Sequence, residues 1–175
     1  MIFQTSRLYI KKLALSDVNH FYKLHSDPQV MEPIPAPVLN HHSSKQELHR
    51  ILNAYKVKDH RLRVYGVYLH SNDDFVGLCA IIRPDSKSRS IGYRLLKDYW
   101  GQGLGTEGMI NFLKQDKSLQ SIQASVDQNN IASKKILQRF MAFVKDELNS
   151  KSGSYESQFK LDLLTPNSST LRKSK

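Results

Sequence analysis

The apolar positions along this chain change period several times, and each change marks a predicted element. Residues Phe3 to Leu13 read as one strand. A helix is predicted from about Ser16, whose hydroxyl stands where a cap belongs, over the run Asp17–Asp27. Ser44 and Glu47 have the spacing of a capping box, and Leu48, Ile51, Leu52 and Tyr55 follow on one helical face. Between these two helices Pro28–His42 carries four prolines and reads as a loop. Three strands are predicted next: Arg61–His70, the wholly apolar Phe75–Ile82, and Ser90–Leu96, in which Ile91, Tyr93 and Leu95 alternate with other residues. Strands joined by turns such as Ser71–Asp74 imply an antiparallel meander. A helix over Thr106–Lys114, a strand over Leu119–Val126 and a helix over Ile131–Phe140 come after it. The pattern closes on a hairpin, Met141–Leu148 and Tyr155–Leu164, in which Tyr155, Ser157, Phe159, Leu161 and Leu163 share one face. The expected architecture is α+β, a single layered domain over residues 1–165, with a flexible basic tail over residues 166–175.

Composition narrows the function classes. No apolar run is long enough to span a bilayer, and the N-terminus, with Arg7, Lys11 and Lys12 among alternating residues, does not read as a signal peptide. The single cysteine, Cys79, excludes a disulfide framework, so a cytoplasmic home is expected. The net charge of +10 suits nucleic acid, an acidic partner or an anionic cofactor, or serves solubility alone. The charges are dispersed, and no stacking-aromatic signature or recognition helix is present, so nucleic acid is not the expected partner. His41 and His42 lack any accompanying ligand spacing, and no metal is expected.

The candidate chemistry sits in WGQGLGTEG, Trp100 to Gly108. Gly103, Gly105 and Gly108 match the dinucleotide fingerprint G-x-G-x-x-G, and Asp127 stands where a ribose-binding acid would. Against that reading, KDYWGQ separates the strand from the first matched glycine, and the pattern holds one parallel unit only. Alternatively, the loop opens a helix N-terminus whose free amides bind a phosphate, with glycines allowing close approach. A third reading is a tight turn with no ligand.

The residues 91–113, IGYRLLKDYWGQGLGTEGMINFL, followed by NNIASKKILQRF at 129–140, resemble the GNAT acetyltransferase superfamily. The branch is that of the ribosomal-protein N-acetyltransferases acting on alanine and serine N-termini, and residues 5–30 resemble that branch's opening strand and helix. The resemblance implies a mixed, mostly antiparallel sheet splayed at its centre, with helices on both faces. It implies acetyl-CoA as co-substrate, its pyrophosphate on Trp100, Gly101, Gln102, Gly103, Leu104, Gly105 and Thr106. The pantetheine arm would run along Tyr93, Leu95 and Leu96 and meet Asn130, with Ser133 beside the thioester sulfur. Asn130 also reads as a plain helix cap. The acceptor would be an amine, either a protein N-terminus or a small amine, on a monomer or homodimer. The loop Pro28–Ser44 is expected to line the acceptor pocket.

This chain departs from the family at several positions. Leu137 stands where many members carry a tyrosine acid, and Ser90 where the branch often has a glutamate. Ser133 and Tyr93 are therefore the expected catalytic hydroxyls, with the base open among Glu107, Tyr93 and His70. The short stretch between Thr106 and Val126 predicts a short helix, and RFMAF replaces a glycine turn. A CoA-binding module without catalysis is the alternative from another class.

Overall fold

The polar triplet Thr5-Ser6-Arg7 divides what the pattern offered as one strand. In the computed structural model, which describes residues 2–34, 36–58, 60–83, 88–115, 119–150 and 153–163, two strands replace it. These are β1 (Phe3–Gln4) and β2 (Leu8–Lys11), paired antiparallel with Phe3 opposite Ile10. The Thr5 hydroxyl accepts the Leu8 N–H at 2.8 Å and closes the turn, a local bond that threonine offers in competition with the ladder. The expected basic tail, residues 166–175, lies outside the described residues.

The helical caps also differ from expectation. Ser16 is not the cap: a 3₁₀ turn, Leu15–Asp17, comes first, closed by Asp17 Oδ2 accepting the Ala14 N–H at 2.7 Å, and α1 runs from there over Val18–Ser26. Part of the proline-rich stretch is helical. Pro28 occupies the first position of α2 (Pro28–Met31), where its missing N–H costs nothing, and Asp27 caps it through the Gln29 N–H at 2.9 Å. Helix α3 spans His41–Ala54 because Asn40 accepts the Ser43 N–H at 2.8 Å. Ser44 is therefore not a cap but a fully buried helical residue whose hydroxyl has no partner among the described residues.

Strands β3 (Leu62–Leu69), β4 (Phe75–Ile82) and β5 (Ser88–Leu95) form the antiparallel meander. Helix α4 (Leu104–Gln115) has 12 residues and is not short. Strand β6 (Ser121–Asp127), α5 (Ile131–Leu137) and the hairpin β7 (Ala142–Leu148) and β8 (Tyr155–Asp162) complete the chain, α5 stopping three residues before the expected Phe140. The sheet order is β1-β2-β3-β4-β5-β6-β8-β7, mixed and mostly antiparallel, as the α+β reading anticipated. Helices α1 to α3 cover one face through Phe21, Leu24, Val30, Leu48 and Ile51. Helices α4 and α5 cover the other through Leu104, Met109 and Leu137. Burial of these apolar side chains is the dominant stabilising term.

One pairing positions everything that follows. Strands β5 and β6 are parallel, and they pair only from Ser88–Ser90 to Ser121–Gln123. Beyond Ser90, β5 stays with β4 as far as Leu95, and beyond Gln123, β6 stays with β8 as far as Asp127. The sheet opens there into a wedge.

Candidate active site

A cleft of about 740 Å³ fills the wedge and runs past the start of α4, the start of α5 and the segment after α2. Its floor near α4 is the glycine loop. Gly101 and Gly103 have φ of +73° and +76°, the left-handed region that a side chain resists. The loop leads into the first turn of α4, where the amides of Leu104, Gly105 and Thr106 have no intrahelical acceptor. These N–H groups and the positive end of the helix dipole make an anion cradle. Lys135 and Arg139 line the same cleft from α5 and its end. Gly105 meets a different need: a Cβ there would lie 3.1 Å from Tyr93 Cε2 and 3.3 Å from Ile136 Cδ1. A larger residue would lever α4 away from β5 and α5.

The loop is braced from outside the cleft. Glu107, in the first turn of α4, accepts from the Thr5 hydroxyl, the Ser6 hydroxyl at 3.0 Å, the Arg7 N–H at 2.9 Å and Arg7 Nε at 2.6 Å. Arg7 then donates through Nη1 to the Gln102 carbonyl at 2.9 Å. Burial pushes the Glu107 carboxyl up, but the bonds from Thr5, Arg7 and Ser6 outweigh it and hold the pKa at about 2. So strong a preference for the ionised form fits a structural anion, not a base.

Tyr93 and Ser133 meet across the wedge, with the Tyr93 hydroxyl 3.5 Å from Ser133 Oγ. Burial raises the Tyr93 pKa, offset in part by the bond to Ser133, so the phenol is a neutral donor at physiological pH. Asn130 caps α5, its Oδ1 accepting the Ser133 N–H at 3.1 Å, which leaves the amide nitrogen as the end able to face a ligand. Leu137 is core, 3 % exposed, and carries no chemistry. Ser90 ends the parallel pairing opposite Gln123, at the closed apex of the wedge.

The register of β5 exposes backbone to the same space. The Leu96 N–H donates to the Val76 carbonyl at 2.9 Å, and Gly77 opposes Leu95 and Leu78 opposes Arg94. Antiparallel residues alternate in which side they bond to, so Tyr93 and Leu95 turn their N–H and C=O toward the wedge. The Trp100 indole N–H takes the Leu95 carbonyl at 2.9 Å. Of the residues singled out in the sequence, the cleft brings together Tyr93, Leu95, Trp100, Gly101, Gly103, Leu104, Gly105, Thr106, Asn130 and Ser133. Leu96 is buried in the core beneath α1 and α3, and Gln102 turns its amide to the Asp98 carbonyl at 2.9 Å, so neither side chain lines the cleft. His70 is exposed, lies tilted against the Tyr9 ring and is not part of the lining. The stretch Pro28–Ser44 contributes Gln29, Val30, Glu32, Pro33 and Ile34 to the lining, and the sequence reading missed Arg94, which lines the cleft on the same side. Alternation along β5 was the signal for Arg94, but it pointed equally to solvent.

A sheet opened beside a phosphate-type loop, with two hydroxyls inside the opening, suits group transfer from a slender, phosphate-bearing carrier. The family model of the acetyltransferase (GNAT) domain matches residues 7–140, and the chain belongs to that family. An uncharacterized N-acetyltransferase, p20, of Bacillus licheniformis is 25 % identical over 149 residues, 82 % of this chain and 83 % of that one. In fold the chain is similar to a GNAT-family acetyltransferase of Bacillus anthracis, with TM-score 0.79, 19 % identity, and 93 % and 99 % of the two chains covered. It is also similar to RimL, the ribosomal L7/L12 alpha-N-protein acetyltransferase in complex with coenzyme A, with TM-score 0.78, 13 % identity, and 93 % and 97 % covered. The dinucleotide reading is overturned: among the described residues the sheet has one parallel pair, not a doubly wound order, and Asp127 lines the cleft with one carboxylate oxygen accepting the Asn129 N–H at 2.8 Å. No helix among the described residues is long and apolar enough to cross a membrane.

Proposed function

We propose that this enzyme acetylates an amine, and among amines the α-amino group at the start of a peptide, with the wedge as the place of transfer. The observation that carries the proposal is the Tyr93–Ser133 hydroxyl pair inside a cleft that ends on the Gly101–Thr106 amides. The residues fit acetyl-CoA: the amides and the α4 dipole suit a pyrophosphate, and Lys135 and Arg139 add positive charge along the same wall. The co-substrate supplies an activated acetyl group. The chain supplies position and hydrogen bonds. Backbone N–H groups of Tyr93 and Leu95 face the wedge and pair with an extended amide-bearing arm. The Ser133 hydroxyl donates to the departing thiolate, oriented by Tyr93 and by the Asn130 cap beneath it. The new C–N bond forms as C–S breaks, and the amine proton passes to water at the open α2 end.

The choice of a peptide α-amine is supported by the fold shared with RimL, whose own acceptor is a ribosomal protein N-terminus. Thiol release from acetyl-CoA, measured across N-terminal peptides and small amines, tests the proposal. Turnover of at least one peptide, with mass gain of one acetyl group on its N-terminus, is expected. CoA binding without thiol release from any amine would leave a CoA-binding module instead.

A further inference from the structure

Arg94 is a charged side chain of the cleft whose donors are left almost unused among the described residues. It lies on β5 next to Tyr93, on the opposite face, so Tyr93 packs toward α4 and α5 while Arg94 points to α2. Its guanidinium has five donors. Among the described residues, Nη1 meets the Met31 sulfur at 3.1 Å, a weak acceptor, and Nε is buried with no partner. No carboxylate among the described residues forms an ion pair with it, including Glu32, which lines the same cleft but is exposed. His25, the nearby titratable group on α1, is held at a pKa of about 4, chiefly by burial, and is neutral. Burial also lowers the Arg94 pKa to about 10, which leaves it charged at neutral pH. A cation partly removed from water without a counter-charge is costly to the free protein. Folds relieve such a cost with a partner, and this one leaves the partner's place open to the cleft.

We infer that Arg94 binds a carboxylate carried by the acceptor, on the side of the wedge across from the phosphate loop. The planar fork of a guanidinium matches a carboxylate with two parallel bonds, which lysine does not reproduce. The acceptor is thus an amine with an acidic group near it: the C-terminal carboxylate of an amino acid or short peptide, or an acidic side chain at the second position of a longer one. This inference rests on the reading of the wedge as an amine acetylation site.

The test compares matched acceptors with wild type, R94M and R94K. One pair is a tripeptide as free acid and as amide; the other is Ala-Asp-Ala-amide against Ala-Asn-Ala-amide. Wild type is expected to favour the carboxylate member of at least one pair by about tenfold or more in kcat/KM, mainly through KM, as a charge-assisted pair would give. The pair that responds identifies the source of the carboxylate. R94M should bring that ratio near one while keeping the CoA-induced thermal shift, and R94K should fall between. Equal rates within both pairs in wild type, or a ratio unchanged in R94M, overturn the inference. Calorimetric binding of the corresponding N-acetylated products to CoA-loaded protein gives the same comparison without turnover. If no acceptor reacts but the acidic product still binds wild type about tenfold tighter than its neutral partner, and R94M loses the difference, the carboxylate site stands and the transfer reading falls.

Discussion

Replacing Glu107 with glutamine isolates the charge that ties the N-terminal hairpin to α4. Glutamine keeps the volume and one accepting oxygen, so the Thr5, Ser6 and Arg7 N–H donors retain a partner. The ion pair to Arg7 Nε at 2.6 Å is lost, and the other bonds lose their charge assistance. The Glu107 side chain is 13 % exposed and that of Arg7 49 %, so solvent screens the pair in part. A charge-assisted bond contributes about 1.5–3 kcal/mol, and screening brings the expected loss to about 2 kcal/mol at pH 7. In a chain of this size that is a fall of roughly 4–8 °C in Tm. The pH dependence carries the sign. The folded pKa, about 2, lies below the ordinary 4.5, so the stabilisation is present above pH 4.5 and is lost as pH falls through 2. Urea unfolding of wild type and E107Q at pH 7 and pH 3 should show the gap shrink to less than half, about what a pKa difference of this size gives. Because Arg7 also holds the Gln102 carbonyl, E107Q should weaken CoA binding although Glu107 is not in the cleft. A gap below about 0.5 kcal/mol at pH 7, the ordinary scatter of a surface substitution, or one equal at the two pH values, would refute the brace.

Other outcomes follow from single groups. G103E places a side chain at φ +76° and a negative charge in the anion cradle, so the CoA-induced thermal shift should vanish while the circular dichroism spectrum is kept. S133A removes the hydroxyl but not the N–H that Asn130 caps, so kcat should fall on the order of 10- to 100-fold with Tm and CoA affinity nearly unchanged. N130A should lose about 1 kcal/mol with its cap, whereas N130D keeps the capping oxygen; a CoA affinity lost in both variants separates ligand contact from capping. His25 is buried with its pKa lowered to about 4, so native stability should fall as pH drops from 6.5 toward 4, and H25Q should flatten that slope in urea titrations.

The sheet was legible because its strands either alternate or, like the wholly apolar Phe75–Ile82, run between polar turns; Phe75–Ile82 was read to the residue. Helix starts were less legible, because several residues in a row can cap. Ser44 and Glu47 have the right spacing, but Asn40 captures the Ser43 N–H first and draws Ser44 into the helix. Helix α2 was hidden by its own proline, which sits at the one helical position where it is tolerated. The glycine loop stood out because left-handed backbone leaves a trace in composition. Arg94 did not, since an alternating strand shows that a side chain faces away from its neighbours without saying what covers that face. Here α2 covers it, and α2 was read as loop.

The opened sheet has a further consequence. Most exposed strand edges invite another chain to add itself, and the divergence of β5 from β6 presents two such edges in mid-sheet. Past Ser90 and Gln123 the two strands no longer pair, so a single strand cannot stay in register with both. What the gap admits is a slender molecule that carries its own amides and tapers toward the apex. The protein thus keeps an unfinished ladder in mid-sheet, with the outward backbone groups of β5 still to be paired.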